Sequence, residues 1–317
     1  MKKLLIWLPG MLSMLAACTE AVEIPARAPE KQSPVRVELH LTTEQQAATR
    51  AMDENCIRDV NLYLYGDTEY HFYFPSVSSP LVFNVLPGNY RSYAIANAGQ
   101  DLGDKNAFKI QFYETAVDVM VSSDAIPMTD RGTLAVDGAG RCTPSSLRVT
   151  RSAAKIAYTI EVADAVAPSL RLRSVQFCNL PLTIRPFDSG SISSTVEANY
   201  YDGEAMPVGN ERRTAGTAYL FENLQGSVDT ITDQKDKCPE NAPSCATYLR
   251  ILAERSTDKA LVEYIVYPGE NNTSDFNVRR NTWHNLELVI MGENEIDNRV
   301  LVYDGLYYGT ANCHICT

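Results

Sequence analysis

The chain has 317 residues, of which 45% are hydrophobic, and a formal net charge of −11. This composition is that of a globular protein with a substantial core, long enough for two ordinary domains or one large β domain. The acidic balance argues against nucleic-acid binding, which depends on Lys and Arg to neutralise phosphates. Composition therefore favours a folded, acidic protein and leaves its partner open.

The N-terminus carries an export signal. Lys2 and Lys3 precede a largely apolar run, Leu4–Leu15, which is shorter than the roughly 20 residues a membrane-spanning helix needs. A charged start followed by a short apolar segment is typical of a signal peptide. The segment Leu15–Cys18 (Leu-Ala-Ala-Cys) resembles the lipobox of bacterial lipoproteins. We therefore expect residues 1–17 to be removed and Cys18 to carry palmitate-type acyl chains that anchor the protein in outer-membrane lipid.

The remainder of the chain has the pattern of an all-β protein. Residues 18–33 are rich in Glu, Ala and Pro and predict a flexible, lipidated tether. The next segment, Val35–Leu41, alternates apolar with polar residues, which predicts a strand with one buried face. Gly, Asn, Asp and Pro separate further segments of strand composition, which favours β-sandwiches. These segments are Ile57–Tyr65, Tyr70–Phe74, Leu81–Leu86, Tyr90–Ala96, Leu147–Val162, Leu170–Leu180, Ala218–Asn223, Ala246–Glu254, Leu261–Val266, Thr282–Met291 and Arg299–Tyr308.

Three connecting segments have weaker patterns. Pro87–Asn89 is a turn signal between two strands and predicts a hairpin. Tyr113–Val121 is compatible with a short helix. The segment Ile126–Pro144, rich in Gly and Asp, predicts a loop at a domain boundary. We therefore expect an N-terminal sandwich over residues 34–144 and a C-terminal sandwich over residues 145–317.

Eight cysteines occur in an exported chain, in which disulfides can persist. Cys238 and Cys245 flank a polar segment with two prolines, and a local disulfide that closes this loop is the favoured pairing. Cys56, Cys142 and Cys178 lie in or beside apolar runs and are interpreted as buried free thiols, which behave as small hydrophobes.

Motifs for catalysis are absent from the sequence. No zinc-protease motif, nucleophile elbow, phosphate-binding loop or dinucleotide fingerprint occurs. The four histidines are interpreted as surface or packing residues. We therefore predict no catalytic residue, no metal site and no cofactor, and hence a protein that is not an enzyme.

Five segments along the chain resemble the fimbrillin superfamily, the building blocks, anchors and tips of type V pili in Gram-negative anaerobes. Their order and spread over the chain make the resemblance specific, and the later segments are more similar to the accessory, anchor and tip-like branch than to the main shaft subunit. The segments are Leu86–Asn97, Ile126–Met128, Leu147–Ile156, Tyr219–Gly226, and Tyr267–Val278 leading into Arg280–Thr282.

The resemblance implies two transthyretin-like β-sandwich domains and assembly with other fimbrial subunits by β-strand addition. In shaft pilins of the superfamily, an arginine-specific protease cuts near the start of the N-terminal domain, and a strand of the next subunit replaces the strand that is lost. Here Arg50 and Ala51 lie between the first two predicted strands, where that cleavage site falls. Arg50 could equally be an ordinary surface residue, and Arg27 and Arg36 are rival sites. An uncut chain would keep its first strand and tether a pilus base through its lipid.

A second interpretation belongs to a different class. A monomeric surface lipoprotein could bind a glycan or a host protein through its sandwich loops, and glycan binding predicts an exposed aromatic platform. A hydrolase is a distant third interpretation, since it would need convergent carboxylates or a histidine-based triad in a cleft.

Overall fold

The computed structural model describes residues 32–43, 56–103, 113–114, 126–188, 190, 192–209, 211–292 and 295–304. These residues are almost entirely β, which confirms the all-β fold class. No helix in this part of the chain is long and apolar enough to cross a membrane. The strands are β1 (Val35–Thr43), β2 (Val60–Tyr65), β3 (Glu69–Phe74), β4 (Leu81–Val85), β5 (Gly88–Ala96), β6 (Tyr113–Glu114), β7 (Met128–Val136), β8 (Cys142–Thr143), β9 (Ser146–Arg151), β10 (Ala153–Val162), β11 (Leu170–Cys178), β12 (Leu180–Pro181), β13 (Thr183–Ile184), β14 (Tyr200–Tyr201), β15 (Met206–Pro207), β16 (Arg213–Phe221), β17 (Tyr248–Arg255), β18 (Leu261–Val266), β19 (Thr282–Gly292) and β20 (Glu295–Asp304).

The first half of the described chain is an eight-stranded sheet in the order β3-β2-β5-β7-β9-β1-β4, with β8 paired to β7. The sheet curls over its own core, because Phe72 of β3 and Phe83 of β4, from opposite ends of this order, lie 4.9 Å apart between ring centroids. Alternate residues of each strand face inward, as the two-residue period of a strand requires. The core includes side chains from β1, β2, β4, β5, β7 and β9.

The second half contains two four-stranded sheets, ordered β16-β10-β19-β20 and β15-β11-β17-β18. Strand β10 pairs in parallel with β19 and antiparallel with β16. Aliphatic side chains from both sheets form a common buried core, which is the arrangement of a β-sandwich.

Buried polar contacts join the two halves. Arg151 at the end of β9 donates to the Asn281 side chain across 2.7 Å. Thr129 of β7 donates through its hydroxyl to the carbonyl of Pro186, also at 2.7 Å. The described residues from Ser33 onward accordingly form a single compact unit. The predicted division into domains at residues 144 and 145 stays a prediction.

Two predictions about strands were wrong. The segment predicted as a boundary loop contains β7, a strand paired with β5, β8 and β9. Its polar middle concealed it, although Met128, Leu134 and Val136 are buried. The run Leu147–Val162 is two strands, β9 and β10, which belong to different sheets and are separated by Ser152.

The hairpin predicted at Pro87–Asn89 does not form. Strand β4 pairs with β1, whereas β5 pairs with β2 and β7, so the chain passes here from one side of the curled sheet to the other. Of the segment predicted as a short helix, Tyr113–Glu114 is the strand β6, which pairs with β13, and the rest lies outside the described residues.

Candidate strand-exchange site

Strand β1 fills a strip of the first core. Val37 and Leu39 are fully buried, and Leu41 is 1% exposed, while Glu38 and His40 between them face solvent. Burying one such aliphatic side chain contributes about 1.5–3 kcal/mol, so the three together contribute roughly 5–9 kcal/mol. A whole domain is stable by only about 5–15 kcal/mol. The first half therefore needs a strand in this place, whether its own or another.

The backbone of β1 bonds to two different strands along its length. Residues Val35–Leu39 pair antiparallel with Leu81–Val85 of β4. Residues His40–Thr43 pair in parallel with Ser146–Val149 of β9. Removal of β1 would leave backbone groups of both neighbours without partners, and an open sheet edge of this kind is a template for another chain.

A tight turn between β7 and β8 packs against the part of β1 that β9 does not reach. Asp137 closes the turn, because its carboxylate accepts from the backbone N–H groups of Ala139 and Arg141, each at 2.9 Å, and from the Arg141 Nε at 2.7 Å. These bonds hold the pKa of Asp137 below its usual value. Gly140 has φ +79°, and a Cβ placed on it would lie 2.1 Å from the carbonyl oxygen of Arg36. Only glycine fits there, and its backbone rests directly on the backbone of β1.

The end of the same turn also contacts the main chain of β1. The Cys142 thiol donates to the carbonyl of Glu38 at 3.3 Å. Burial raises the pKa of Cys142, which keeps the thiol protonated and able to donate. Just beyond, the backbone N–H of His40 donates to the Ser145 carbonyl at 3.0 Å. None of these contacts uses a side chain of β1.

Four of the residues singled out in the sequence lie outside the described residues: Cys18, Arg27, Arg50 and Ala51. The rival cleavage site Arg36 lies inside β1, where its side chain is exposed and pairs with Glu38 at 3.1 Å. Because the backbone of Arg36 pairs with Asn84 of β4 and its carbonyl lies against the turn at Gly140, a protease could cut at Arg36 only after β1 had opened.

The predicted disulfide between Cys238 and Cys245 is not formed in the structure, where both residues are free thiols. The loop closes without it, since Asn241 and Ala242 donate through their backbone N–H groups to the Cys238 carbonyl. The interpretation of Cys56 as a free thiol was wrong, because Cys56 is disulfide-bonded.

The later segments that resemble the fimbrillin superfamily meet one another in the second half. Asn223 bridges to Val278 through paired backbone bonds, and the Glu222 carboxylate forms a buried ion pair with Arg280 at 2.7 Å. The Asn223 side chain donates to the Cys245 carbonyl at 2.8 Å. The segments are therefore parts of a single buried polar network that holds adjoining loops together.

The described residues contain no cluster of three or more His, Cys, Asp or Glu side chains placed to hold a metal ion. Where the structure gives the burial of an aromatic side chain, that side chain is buried or half-buried, and the more exposed large apolar side chains are Val82, Leu182, Ile192, Val196, Leu261 and Met291. Among the residues whose burial is given, no fully exposed aromatic platform of the kind that glycan binding predicts is seen.

Sequence reasoning missed Asp137 and Gly140, which it placed in a boundary loop. A signal was present, since Asp followed by a glycine three residues later is typical of a turn closed by a side chain with a left-handed residue. What the sequence could not indicate is that this turn lies against β1, a strand about 100 residues earlier.

Comparisons with known proteins give the fold a context. A family model described as a domain of unknown function, DUF4906, matches residues 218–288, which include the buried polar network. A search of curated proteins finds no match. Many solved structures do match.

Three of the matching structures cover most of this chain at low sequence identity. A proposed cell adhesion protein from Bacteroides eggerthii covers 86% of this chain and 96% of its own, with 12% identity and a TM-score of 0.60. A fimbrilin, FimA, from Porphyromonas gingivalis covers 84% and 96%, with 13% identity and a TM-score of 0.57. The tip fimbrial protein Mfa3 from the same organism, solved with a C-terminal truncation, covers 86% and 100%, with 13% identity and a TM-score of 0.53. The chain therefore has the fold of the fimbrillin superfamily, as its sequence motifs predicted.

Proposed function

We propose that the protein is a structural fimbrial subunit, an accessory or anchor protein of the outer membrane that assembles with other fimbrial subunits by β-strand addition. The observation that carries this proposal is β1. The first described strand fills a core strip with Val37, Leu39 and Leu41 and completes the sheet between β4 and β9. A strand from another subunit with the same alternation could take its place.

Lipid attachment at Cys18 would hold the chain at the outer membrane while it assembles. Two or more acyl chains give stable anchoring, because each buried methylene contributes about 0.8 kcal/mol. Cleavage after Arg50 would remove both the lipid and β1, which would open the groove and leave Ala51 as the new N-terminus. An uncut chain would keep β1 and serve as an anchor.

The mature N-terminus tests these two forms. The protein is purified from the membranes of its own cells and its N-terminal peptide is identified by mass spectrometry. An acylated Cys18 supports the anchor role, and a chain that begins at Ala51 supports removal of the first strand. An N-terminus at neither residue would contradict both forms of the proposal.

A further inference from the structure

We propose that the turn Asp137–Cys142 is a latch that holds whichever strand occupies the β1 position through contacts with the backbone of that strand. The turn thereby controls how fast a strand leaves this position and how fast another enters it. The inference rests on the proposed function and adds a control element to the same site. From here on, "the latch" means these six residues.

The latch covers an edge of β1 that no described strand pairs with. Strand β9 pairs with β1 over His40–Thr43, and among the described strands the opposite half of β1, Val35–Leu39, pairs with β4 alone. The latch lies against this half through Gly140, next to the Arg36 carbonyl, and through Cys142, which donates to the Glu38 carbonyl at 3.3 Å.

Hydrogen bonds within the latch fix its conformation. Asp137 accepts three hydrogen bonds from within the turn, and the Gly140 N–H donates back to the Asp137 carbonyl at 3.0 Å. A second backbone bond joins the Asp137 N–H to the Arg141 carbonyl, also at 3.0 Å. A turn fixed by its own bonds can press on β1 without help from side chains of that strand.

The contacts define the kind of strand the latch accepts. The contacts of Gly140 and Cys142 are both made with carbonyl oxygens of β1. Every residue has a carbonyl oxygen, so these contacts do not depend on the sequence of the strand. Selection falls instead on the inward positions, where Val37, Leu39 and Leu41 are buried. The partner is therefore an extended segment with apolar residues at alternate positions, and the latch holds it as firmly as it holds β1.

Glycine variants test the latch in the full chain. In Gly140→Ala, the new methyl group cannot lie 2.1 Å from the Arg36 carbonyl, and alanine is also disfavoured at φ +79°. Gly138→Ala is the matched control in the same turn, because a Cβ there meets nothing within 4 Å. Gly99→Ala controls for backbone strain alone, since Gly99 has φ +71° and equally open space.

The readout is hydrogen–deuterium exchange of the β1 amides. Gly140→Ala is expected to exchange about tenfold faster than the wild type over Val35–Leu39, a ratio that corresponds to about 1.4 kcal/mol, because the new methyl group pushes the turn off the Arg36 carbonyl. Both controls should leave β1 within about twofold of the wild type, a ratio that corresponds to about 0.4 kcal/mol. The latch would be refuted by equal β1 exchange in Gly140→Ala and Gly138→Ala, or by faster exchange spread evenly over the whole first half.

A second variant covers the case in which Gly140→Ala does not fold. Asp137→Ala loosens the turn without adding bulk, and Asp258→Ala is its control, because Asp258 closes a similar exposed turn in the second half. Faster β1 exchange in Asp137→Ala but not in Asp258→Ala supports the latch, and equal exchange overturns it.

Capture of a synthetic strand separates the latch from the proposed function. A fluorescent peptide with the sequence of β1 is added to the wild type and to Gly140→Ala, and its uptake is followed by size-exclusion chromatography. Faster uptake by the variant supports both ideas. Faster exchange of the β1 amides without any uptake of the peptide would show that the latch stabilises β1, and it would contradict assembly by strand addition.

Discussion

Leu39→Ala tests whether β1 holds the first half together. Leu39 is fully buried and lies opposite Leu81 of β4, which is also buried. Truncating a buried leucine removes its transfer free energy and leaves a cavity, so we expect the free energy of unfolding to fall by about 2–5 kcal/mol. This loss is a large fraction of the stability of an ordinary domain.

The matched control is Val82→Ala on the neighbouring strand. Val82 lies opposite Glu38 on the outer face and is 43% exposed, so its truncation should cost less than about 1 kcal/mol. Both variants are unfolded with guanidinium chloride and followed by tyrosine fluorescence and circular dichroism. Equal losses of stability in the two variants would refute the idea that β1 fills a core strip.

Three further predictions concern the second half. Burial lowers the pKa of His284 to about 4, so the unfolded chain binds more protons than the folded chain between pH 4 and 6.5. The free energy of unfolding should therefore fall by as much as about 3 kcal/mol as the pH drops through this window, and acid titrations followed by circular dichroism should show a smaller fall in His284→Gln. Burial also lowers the pKa of Lys237 to about 8, so the unfolded chain binds more protons than the folded chain above this pH. The free energy of unfolding should therefore rise by as much as about 2 kcal/mol between pH 8 and 9.5 in the wild type and should not rise in Lys237→Met. Glu222→Gln leaves the Arg280 charge buried without its ion pair and should lower the free energy of unfolding in denaturant by about 3–5 kcal/mol. Asp164→Asn removes one partner of an exposed ion pair and should lower it by less than about 1 kcal/mol. Similar losses in the two variants would show that the buried pair does not hold these loops together.

Patterns with a clear two-residue period were the most predictable part of the fold. Val35–Leu41 alternates without a break, and it is the strand β1 with its apolar residues inward. The fold class and the resemblance to the fimbrillin superfamily followed from such segments and from the turn residues between them. The structure confirms both at the level of the fold.

Features set by tertiary context were not predictable. Met128–Val136 has Asp130, Arg131 and Gly132 at its centre, and neighbouring strands rather than its own composition make it a strand. The run from Leu147 to Val162 has strand composition on both sides of Ser152, so nothing local shows that the chain changes sheets there.

The candidate site was predictable only in part. The first strand and Arg50 were identified from their order along the chain, and Arg50 lies outside the described residues. The latch could not be predicted from the sequence, because it depends on the close approach of Gly140 to the backbone of β1, which is distant along the chain. The loop between Cys238 and Cys245 has the spacing of a disulfide loop, yet backbone bonds close it while both thiols stay free.

Electrophoresis of the protein from the membranes of its own cells, with and without heating in detergent, tests strand addition most directly. Each band is identified by mass spectrometry. Assembly by strand addition predicts that the unheated protein migrates in high-mass species together with other subunits of the same fold, and that boiling reduces these to single chains. A chain that migrates alone in both lanes, with no fimbrial subunit beside it, would contradict the proposal and favour a monomeric surface lipoprotein.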